Sequence, residues 1–155
     1  MNAEEFAAYV EQAIPEFARH KVASGQWSEA SSLELSRQGY DELLPQGLAT
    51  PENFLFTVRE AATRKVVGAL WYAIQERAGG RIAYVYDVLV ESQYRRRGYA
   101  TQAFQALEAA VSSLGLSGVA LHVFGHNKAA QALYAKLGYQ ATNIIMFKEV
   151  PSAGT

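Results

Sequence analysis

The sequence predicts an α/β fold with a mixed central β-sheet flanked by about four helices. Two segments with helical apolar spacing open the chain, and three β-branched and aromatic runs follow them at short intervals. Helical and strand-like segments then alternate toward the C-terminus. Strands joined by short turns pair antiparallel, whereas strands joined through a helix run parallel, so this order requires both kinds of pairing in one sheet.

The first third of the chain is predicted to be helical. Apolar side chains recur with helical spacing through residues 3–23, and Asn2 can cap the start of that segment. Pro15 is expected to kink or restart this helix. A second helix is predicted from Ser28, as its N-cap, to about Leu44, where a loop rich in proline and glycine begins.

The later elements are predicted from changes in the apolar period. A glycine pair at the end of the stretch 78–80 closes a hairpin between two strand-like runs. The predicted strands are 53–60, 65–75, 81–90, 119–124 and 143–150, and the predicted helices are 97–114 and 127–137.

Composition predicts a single domain over residues 1–150 with a flexible tail at 151–155. Half of the 155 residues are apolar, and the formal net charge of −1 disfavours a protein that coats nucleic acid. The absence of cysteine excludes disulfides and thiol catalysis and suits a reducing compartment. No apolar run reaches the roughly 20 residues of a membrane span, and the histidine spacing matches no metal motif. We therefore expect a cytoplasmic protein that uses no metal.

A cationic turn precedes the helix predicted at 97–114. The stretch YRRRGYATQAF places Arg95, Arg96 and Arg97 directly before Gly98. A helix N-terminus offers unpaired N–H groups and a partial positive charge, which favour phosphate. Glycine lets the backbone approach such a ligand closely, and arginines can donate charge-assisted hydrogen bonds to it. From these residues alone, a diphosphate site and a solvated arginine cluster fit about equally well.

Two motifs in this order resemble the GCN5-related N-acetyltransferase (GNAT) superfamily. RRRGYA at 95–100 matches the signature [RQ]-x-x-G-x-[GA], which binds the pyrophosphate of acetyl-CoA, and YDVLV resembles the bulged strand before it. HNKAAQALYAKLGY at 126–139 resembles the second family signature. The resemblance spans 53–150, and the N-terminal half is similar to a bacterial branch of uncharacterised acetyltransferases. It implies a GNAT-like sheet in which two parallel strands, here 81–90 and 119–124, splay apart.

This resemblance places acetyl-CoA in the opening between the splayed strands. The pantetheine arm is expected to pair with the backbone of Val88, Leu89 and Val90, which would also polarise the thioester carbonyl. The pyrophosphate is expected to meet the turn and the first helical residues, namely Arg95, Arg96, Arg97, Gly98, Tyr99, Ala100 and Thr101. Asn127 fits a pantetheine contact and a helix N-cap about equally well.

The resemblance also implies two catalytic side chains. Tyr134 matches the residue that protonates the departing CoA thiolate in many members, although a packed tyrosine is the alternative. Asp87 is costly to bury within an aromatic strand unless it has a partner, so it is the best candidate for the general base. A bound water could replace Asp87 as base, and Asp87 could instead orient a substrate ammonium or bond to a loop.

The implied activity is acetyl transfer from acetyl-CoA to a primary amine of a small molecule or peptide, by direct attack in a ternary complex. A non-catalytic acyl-CoA-binding sensor on the same fold is the alternative. Neither nucleic acid nor a membrane is expected as a partner. Family members normally begin with a strand before the first helix, whereas this chain begins almost inside that helix. A missing edge strand would favour a homodimer formed through the open sheet edge.

Overall fold

The computed structural model describes residues 1–154, and this range contains four α-helices and one four-stranded sheet. The helices are α1 (Ala3–Ala23), α2 (Glu29–Leu43), α3 (Tyr99–Ser113) and α4 (Lys128–Lys136). The strands are β1 (Asn53–Arg59), β2 (Val66–Arg77), β3 (Gly80–Val90) and β4 (Val119–Leu121). The predicted α/β class is confirmed. Of the predicted tail, Thr155 lies outside the described residues.

Helices α1 and α2 form a pair whose limits agree with the predicted ones. Asn2 and Glu5 form a complete capping box at the start of α1. The helix does not restart at Pro15, because buried side chains lie on both sides of the proline and hold the two halves against the same core. The hydroxyl of Ser36 donates to the backbone oxygen of Ile14 at 2.7 Å, which ties α2 to α1 at this point.

The sheet has the order β1-β2-β3-β4 and contains both kinds of pairing. β1, β2 and β3 form an antiparallel meander, and the tight turn between Arg77 and Gly80 closes the predicted hairpin. β3 and β4 are parallel, as expected for strands separated by α3. No strand precedes α1 within residues 1–154, so β1 forms the outer edge of the sheet.

A β-bulge interrupts β3 at Tyr86, which confirms the predicted bulged strand. Trp71 of β2 lies opposite Asp87, and the next residue, Tyr72, lies opposite Val85, so Tyr86 is the extra residue. Tyr86 and Asp87 consequently face the same side of the sheet, although side chains in a regular strand alternate.

Two hydrophobic cores lie on opposite faces of the sheet. The first joins α1 and α2 to one face and contains Tyr9, Ala13, Ile14, Tyr40, Leu44, Leu55, Ala69, Trp71 and Leu89. The second joins α3 to the other face and contains Leu70, Tyr72, Ala83, Val85, Phe104, Leu107 and Val111. Because Asp87 lies opposite Trp71, the bulge turns its side chain toward the face that α1 covers.

Three predicted elements differ from the structure. α3 begins at Tyr99 rather than Arg97, because Gly98 adopts a left-handed φ of 82° and acts as the N-cap. β4 ends at Leu121 rather than at residue 124, since only Val119–Leu121 pairs with β3. The predicted strand 143–150 is wrong for the single chain: this segment has no regular secondary structure and is exposed and unpaired within residues 1–154.

Candidate active site

The site is centred on an opening between β3 and β4. The two strands pair only where Ala83–Val85 meets Val119–Leu121, so β3 continues beyond its partner and the strands splay as predicted. The amide of Glu91 donates to Val67 of β2, and antiparallel strands alternate their bonding direction. The backbone groups of Val88 and Val90 therefore point away from β2, toward the opening.

The three predicted pantetheine-binding residues differ in their surroundings. The backbone edges of Val88 and Val90 form no ladder with a neighbouring strand on the side of the opening, although the Arg95 side chain bonds to the oxygen of Val90. The side chain of Leu89 is buried in the core beneath α1 and α2. β2 fixes this stretch at close range, because a Cβ on Gly68 would lie 2.1 Å from the backbone oxygen of Leu89. The exposed edge of β3 is thus supported by an unusually close backbone contact behind it.

The N-terminus of α3 adjoins the same end of β3. Within residues 1–154 no hydrogen bond uses the amide N–H groups of Gly98, Tyr99, Ala100 or Thr101. Gly98 carries no Cβ, and its left-handed conformation turns the chain into the helix. Four neighbouring donors at a helix N-terminus form an arrangement that favours an anionic group such as a diphosphate.

The three arginines of the turn are exposed and have different neighbours. The Nε atom of Arg95 donates to the backbone oxygen of Val90 at 3.0 Å, so this side chain folds over the end of β3. The guanidinium of Arg97 lies 5.6 Å from the ring centre of Tyr94. Arg96 has a positive φ of 62°, which few non-glycine residues adopt, and the structure gives it no partner within residues 1–154.

Asp87 lies beside α1 and has an elevated pKa. The hydroxyl of Tyr9 donates to Oδ2 of Asp87 at 2.6 Å. Burial, with a smaller contribution from the negative charge of Glu16, raises the pKa of Asp87 to about 6, although the bonds from Tyr9 and from the Val88 amide oppose the rise. Asp87 therefore changes charge near neutral pH, which is the range useful to a general base.

Tyr134 lies on α4 and packs against the second core. Its ring makes edge contacts with Phe104 and Tyr139, at centroid distances of 5.4 and 5.8 Å. Burial and the nearby charge of Asp87 raise the pKa of Tyr134 to about 12. Its hydroxyl therefore stays protonated at neutral pH, as a proton donor must.

The loop after β4 is held by the first turn of α4. Oδ1 of Asn127 accepts from the amide of Ala130 at 3.1 Å, so the predicted N-cap is present. Gln131, to which the sequence assigned no role, donates to the backbone oxygens of Phe124 and Gly125, both at 3.0 Å. These bonds fix the course of the chain between β4 and the helix that carries Tyr134.

Sequence reasoning missed the contribution of α1 and α2 to this site. Tyr9 and Glu16 act on Asp87 from α1, and Tyr40 of α2 packs on Trp71 at a centroid distance of 5.6 Å. Trp71 in turn stacks on Tyr86 at 4.6 Å, so aromatic rings surround the carboxylate. The available signal was the seven-residue spacing of Tyr9 and Glu16, which places both on one helical face.

Residues 1–154 contain no group of three or more histidine, cysteine, aspartate or glutamate side chains arranged to hold a metal ion. Among the same residues, no helix combines the length and the apolar character that a membrane span needs.

Comparison with known proteins decides the family. Residues 18–139 match the sequence profile of the Acetyltransferase (GNAT) family. The chain belongs to this family. The uncharacterized N-acetyltransferase YycN of Bacillus subtilis is 36% identical, with 97% of this chain and 96% of YycN covered. A second N-acetyltransferase of B. subtilis, YdgE, is 32% identical over 97% of this chain and 95% of its own length.

A solved structure agrees with this GNAT assignment. The crystal structure of YycN superposes with a TM-score of 0.92 at 36% identity, and the superposition covers 98% of this chain and 96% of that one. The protein is therefore an acyltransferase with the GNAT fold, and the resemblance stated from the two motifs is confirmed.

Proposed function

We propose that this GNAT protein transfers the acetyl group of acetyl-CoA to a primary amine by direct attack in a ternary complex. The observation that carries this proposal is the pairing of two groups near one opening with opposite protonation at neutral pH. Asp87, with a pKa of about 6, is available to accept a proton, and Tyr134, with a pKa of about 12, is available to donate one. Membership of the acetyltransferase family supports acetyl transfer in general.

The proposed acetyl-CoA site has one end that would bind the pyrophosphate and another that would bind the pantetheine arm. The free amides of Gly98 to Thr101, with the neighbouring arginines, would hold the pyrophosphate. The edge of β3 at Val88 and Val90 would pair with the pantetheine arm as an added strand would, and Asn127 would contact it from α4. Acetyl-CoA supplies the thioester, whose carbonyl carbon is the electrophile.

The proposed reaction is a single transfer of the acetyl group from sulfur to nitrogen, with one proton lost by the amine and one gained by the thiolate. The amine nitrogen attacks the thioester carbonyl carbon, and Asp87 or a water held by it accepts the proton that the amine loses. Backbone N–H groups at the Val90 region polarise the carbonyl oxygen while negative charge develops on it. The carbon–sulfur bond then breaks, and the hydroxyl of Tyr134 protonates the CoA thiolate.

The acceptor is proposed to be a cationic amine in a small molecule or a peptide. Asp87 and Glu16 supply negative charge beside the opening, and the rings of Trp71, Tyr86 and Tyr40 form its apolar surroundings. A carboxylate and aromatic faces both attract an ammonium group. We also propose a cytoplasmic location, where acetyl-CoA would be available and the cysteine-free chain would need no oxidising compartment.

Release of thiol tests the proposed activity directly. The protein is incubated with acetyl-CoA and a panel of amines, including amino acids, polyamines, aminoglycosides and peptides with free lysines or N-termini. Because the chain contains no cysteine, a thiol reagent detects only the CoA produced. Amine-dependent thiol release is expected, whereas acetyl-CoA binding without release for every amine would favour the non-catalytic alternative.

Replacing Tyr134 by phenylalanine tests its assignment as the acid. The substitution keeps the ring contacts with Phe104 and Tyr139 and removes only the hydroxyl. We expect kcat to fall by roughly 100-fold or more, the usual contribution of a general acid, while the KM for acetyl-CoA changes little. Tyr139→Phe is the matched control on the same core and should leave kcat nearly unchanged; equal losses in both variants would contradict the acid assignment.

A further inference from the structure

Residues 143–150, which follow α4, have a sequence typical of a buried strand, but the structure leaves them exposed. Residues 144–147 are four consecutive apolar side chains, a run typical of a strand covered on both faces. Yet Ile145 is 88% exposed and Phe147 is 90% exposed. Soluble proteins rarely leave so continuous an apolar stretch in water, so this stretch is expected to have a partner surface.

A groove that could accept residues 143–150 as an added strand lies along β4. A groove of about 530 Å³ runs between α3 and β4 and is lined by Val111, Leu116, Val119 and Leu137, among others. β4 pairs only with β3, so the backbone groups on its outer edge are open to a further strand. The groove therefore places apolar side chains, among polar ones, beside an unpaired sheet edge.

One polar group in this groove lacks a partner. The hydroxyl of Tyr139, which lines the groove, is buried without a hydrogen bond within residues 1–154. Buried hydroxyls in folded proteins are nearly always bonded. A strand that fills the groove beside Tyr139 is therefore expected to change the surroundings of this hydroxyl.

β1, at the other edge of the sheet, is less accessible to residues 143–150 than β4 is. The N-terminal amine of Met1 donates to the backbone oxygen of Leu55 in β1 at 3.3 Å, so α1 already covers part of that edge. A salt bridge between Glu5 and Arg59 covers the end of β1 in the same way. The edge of β4 is thus the better acceptor for an added strand.

We propose that two copies of this chain exchange their C-terminal segments, so that residues 143–150 of each copy add as a strand to β4 of the other. In the single chain the segment leaves the groove open and remains exposed, while a second copy offers an identical groove and edge. A reciprocal exchange fills both grooves at once and closes the assembly about a two-fold axis. Pro151, which cannot donate to a ladder, ends the added strand.

This exchange also accounts for two strands that the sequence predicts and the single chain lacks. Residues 122–124 and 143–150 both have strand-like sequences but are irregular in the structure. Each lacks the neighbour that would complete its ladder, and the exchange makes each the other's neighbour. The dimer is therefore expected to contain a longer β4 and a fifth strand.

Molar mass in solution tests the proposal first. Light scattering after size-exclusion chromatography should give twice the chain mass of 17.0 kDa for the wild type. The double variant Ile145→Lys with Phe147→Lys should be monomeric and retain its circular dichroism, since these side chains contact little of their own fold. Leu33→Lys, on an apolar residue of α2 that is 48% exposed, is the matched control and should remain dimeric. A monomeric wild type, or a dimeric double variant, would overturn the proposal.

A mixing experiment then separates exchange from folding back within one chain. Because the chain has no cysteine, Ser112→Cys in the groove and Phe147→Cys in the segment each introduce one thiol. The two variants are purified separately, mixed, allowed to exchange subunits and treated with a short bismaleimide. A covalent heterodimer is expected on a denaturing gel; its absence while either variant alone behaves as a monomer would show that the segment folds back on its own chain.

Discussion

At the scale of single residues, the contact between Tyr9 and Asp87 controls the pKa of the proposed general base. Burial pushes the pKa of Asp87 up, whereas the hydrogen bond from Tyr9 stabilises the carboxylate and limits the rise. Proton acceptance by Asp87 requires the ionised form, so activity should fall as the pH drops through about 6. One side chain of α1 is thus expected to set the pH range in which the proposed base on β3 can act.

Replacing Tyr9 by phenylalanine tests this dependence. The variant loses the bond that favours the carboxylate, so the pKa of Asp87 should rise and the acidic limb of the kcat/KM profile should move to higher pH. The measurement is kcat/KM for one accepted amine between pH 5 and 9. Phe17→Leu, which changes an aromatic residue of α1 without touching Asp87, is the control; an unmoved limb in Tyr9→Phe would show that a group other than Asp87 titrates.

At the scale of elements, the opening depends on β2 as much as on β3. Gly68 allows the two backbones to approach so closely that any Cβ there would meet the oxygen of Leu89. The close approach lies directly behind Val88 and Val90, whose backbone edges face the opening. A change on β2 is therefore expected to displace the edge of β3 that is proposed to bind acetyl-CoA.

The variant Gly68→Ala tests this connection. The added methyl group must push β3 away from β2, which should cost roughly 1–3 kcal/mol of unfolding free energy and raise the KM for acetyl-CoA. Thermal unfolding and steady-state kinetics measure the two effects. Gly118→Ala is the matched control, because a Cβ at Gly118 has no neighbour within 4 Å. Similar behaviour of the two variants would argue against a link between the close contact and the donor site.

At the scale of the whole molecule, the proposed donor touches β3, α3 and α4 and should therefore stabilise the native state. A ligand present at 100 times its Kd adds about 2.7 kcal/mol, which corresponds to a Tm rise of roughly 5–10 °C for a domain of this size. Acetyl-CoA should produce such a rise, and added salt should reduce it because arginine–phosphate attraction is screened. S-Acetylpantetheine, which lacks the diphosphate, is the matched ligand; an equal rise with it would contradict a diphosphate site at Gly98.

Much of this architecture could be predicted because it depends on local patterns. The order of helices and strands follows from apolar spacing. Each of the two GNAT motifs is an unbroken stretch of sequence, so residues 95–100 and 126–139 could be recognised directly. The contact between Tyr9 and Asp87 joins residues 78 positions apart and depends on packing that no local pattern records. The absence of a strand at residues 143–150 in the single chain could not be predicted either, because a strand needs a neighbouring strand that the sequence alone does not identify.

The bulge at Tyr86 has a consequence for how such proteins diverge. The buried apolar residues of β3, namely Ala83, Val85 and Leu89, all have odd numbers, although Leu89 faces the opposite core from the other two. The positions of the buried residues alone therefore do not reveal the inserted residue. Deleting Tyr86 would restore regular alternation with Asp87 still opposite Trp71 on the α1 side, but it would remove the ring that stacks on Trp71. A single-codon deletion is therefore expected to change the aromatic surroundings of the carboxylate while leaving the carboxylate on the same side of the sheet.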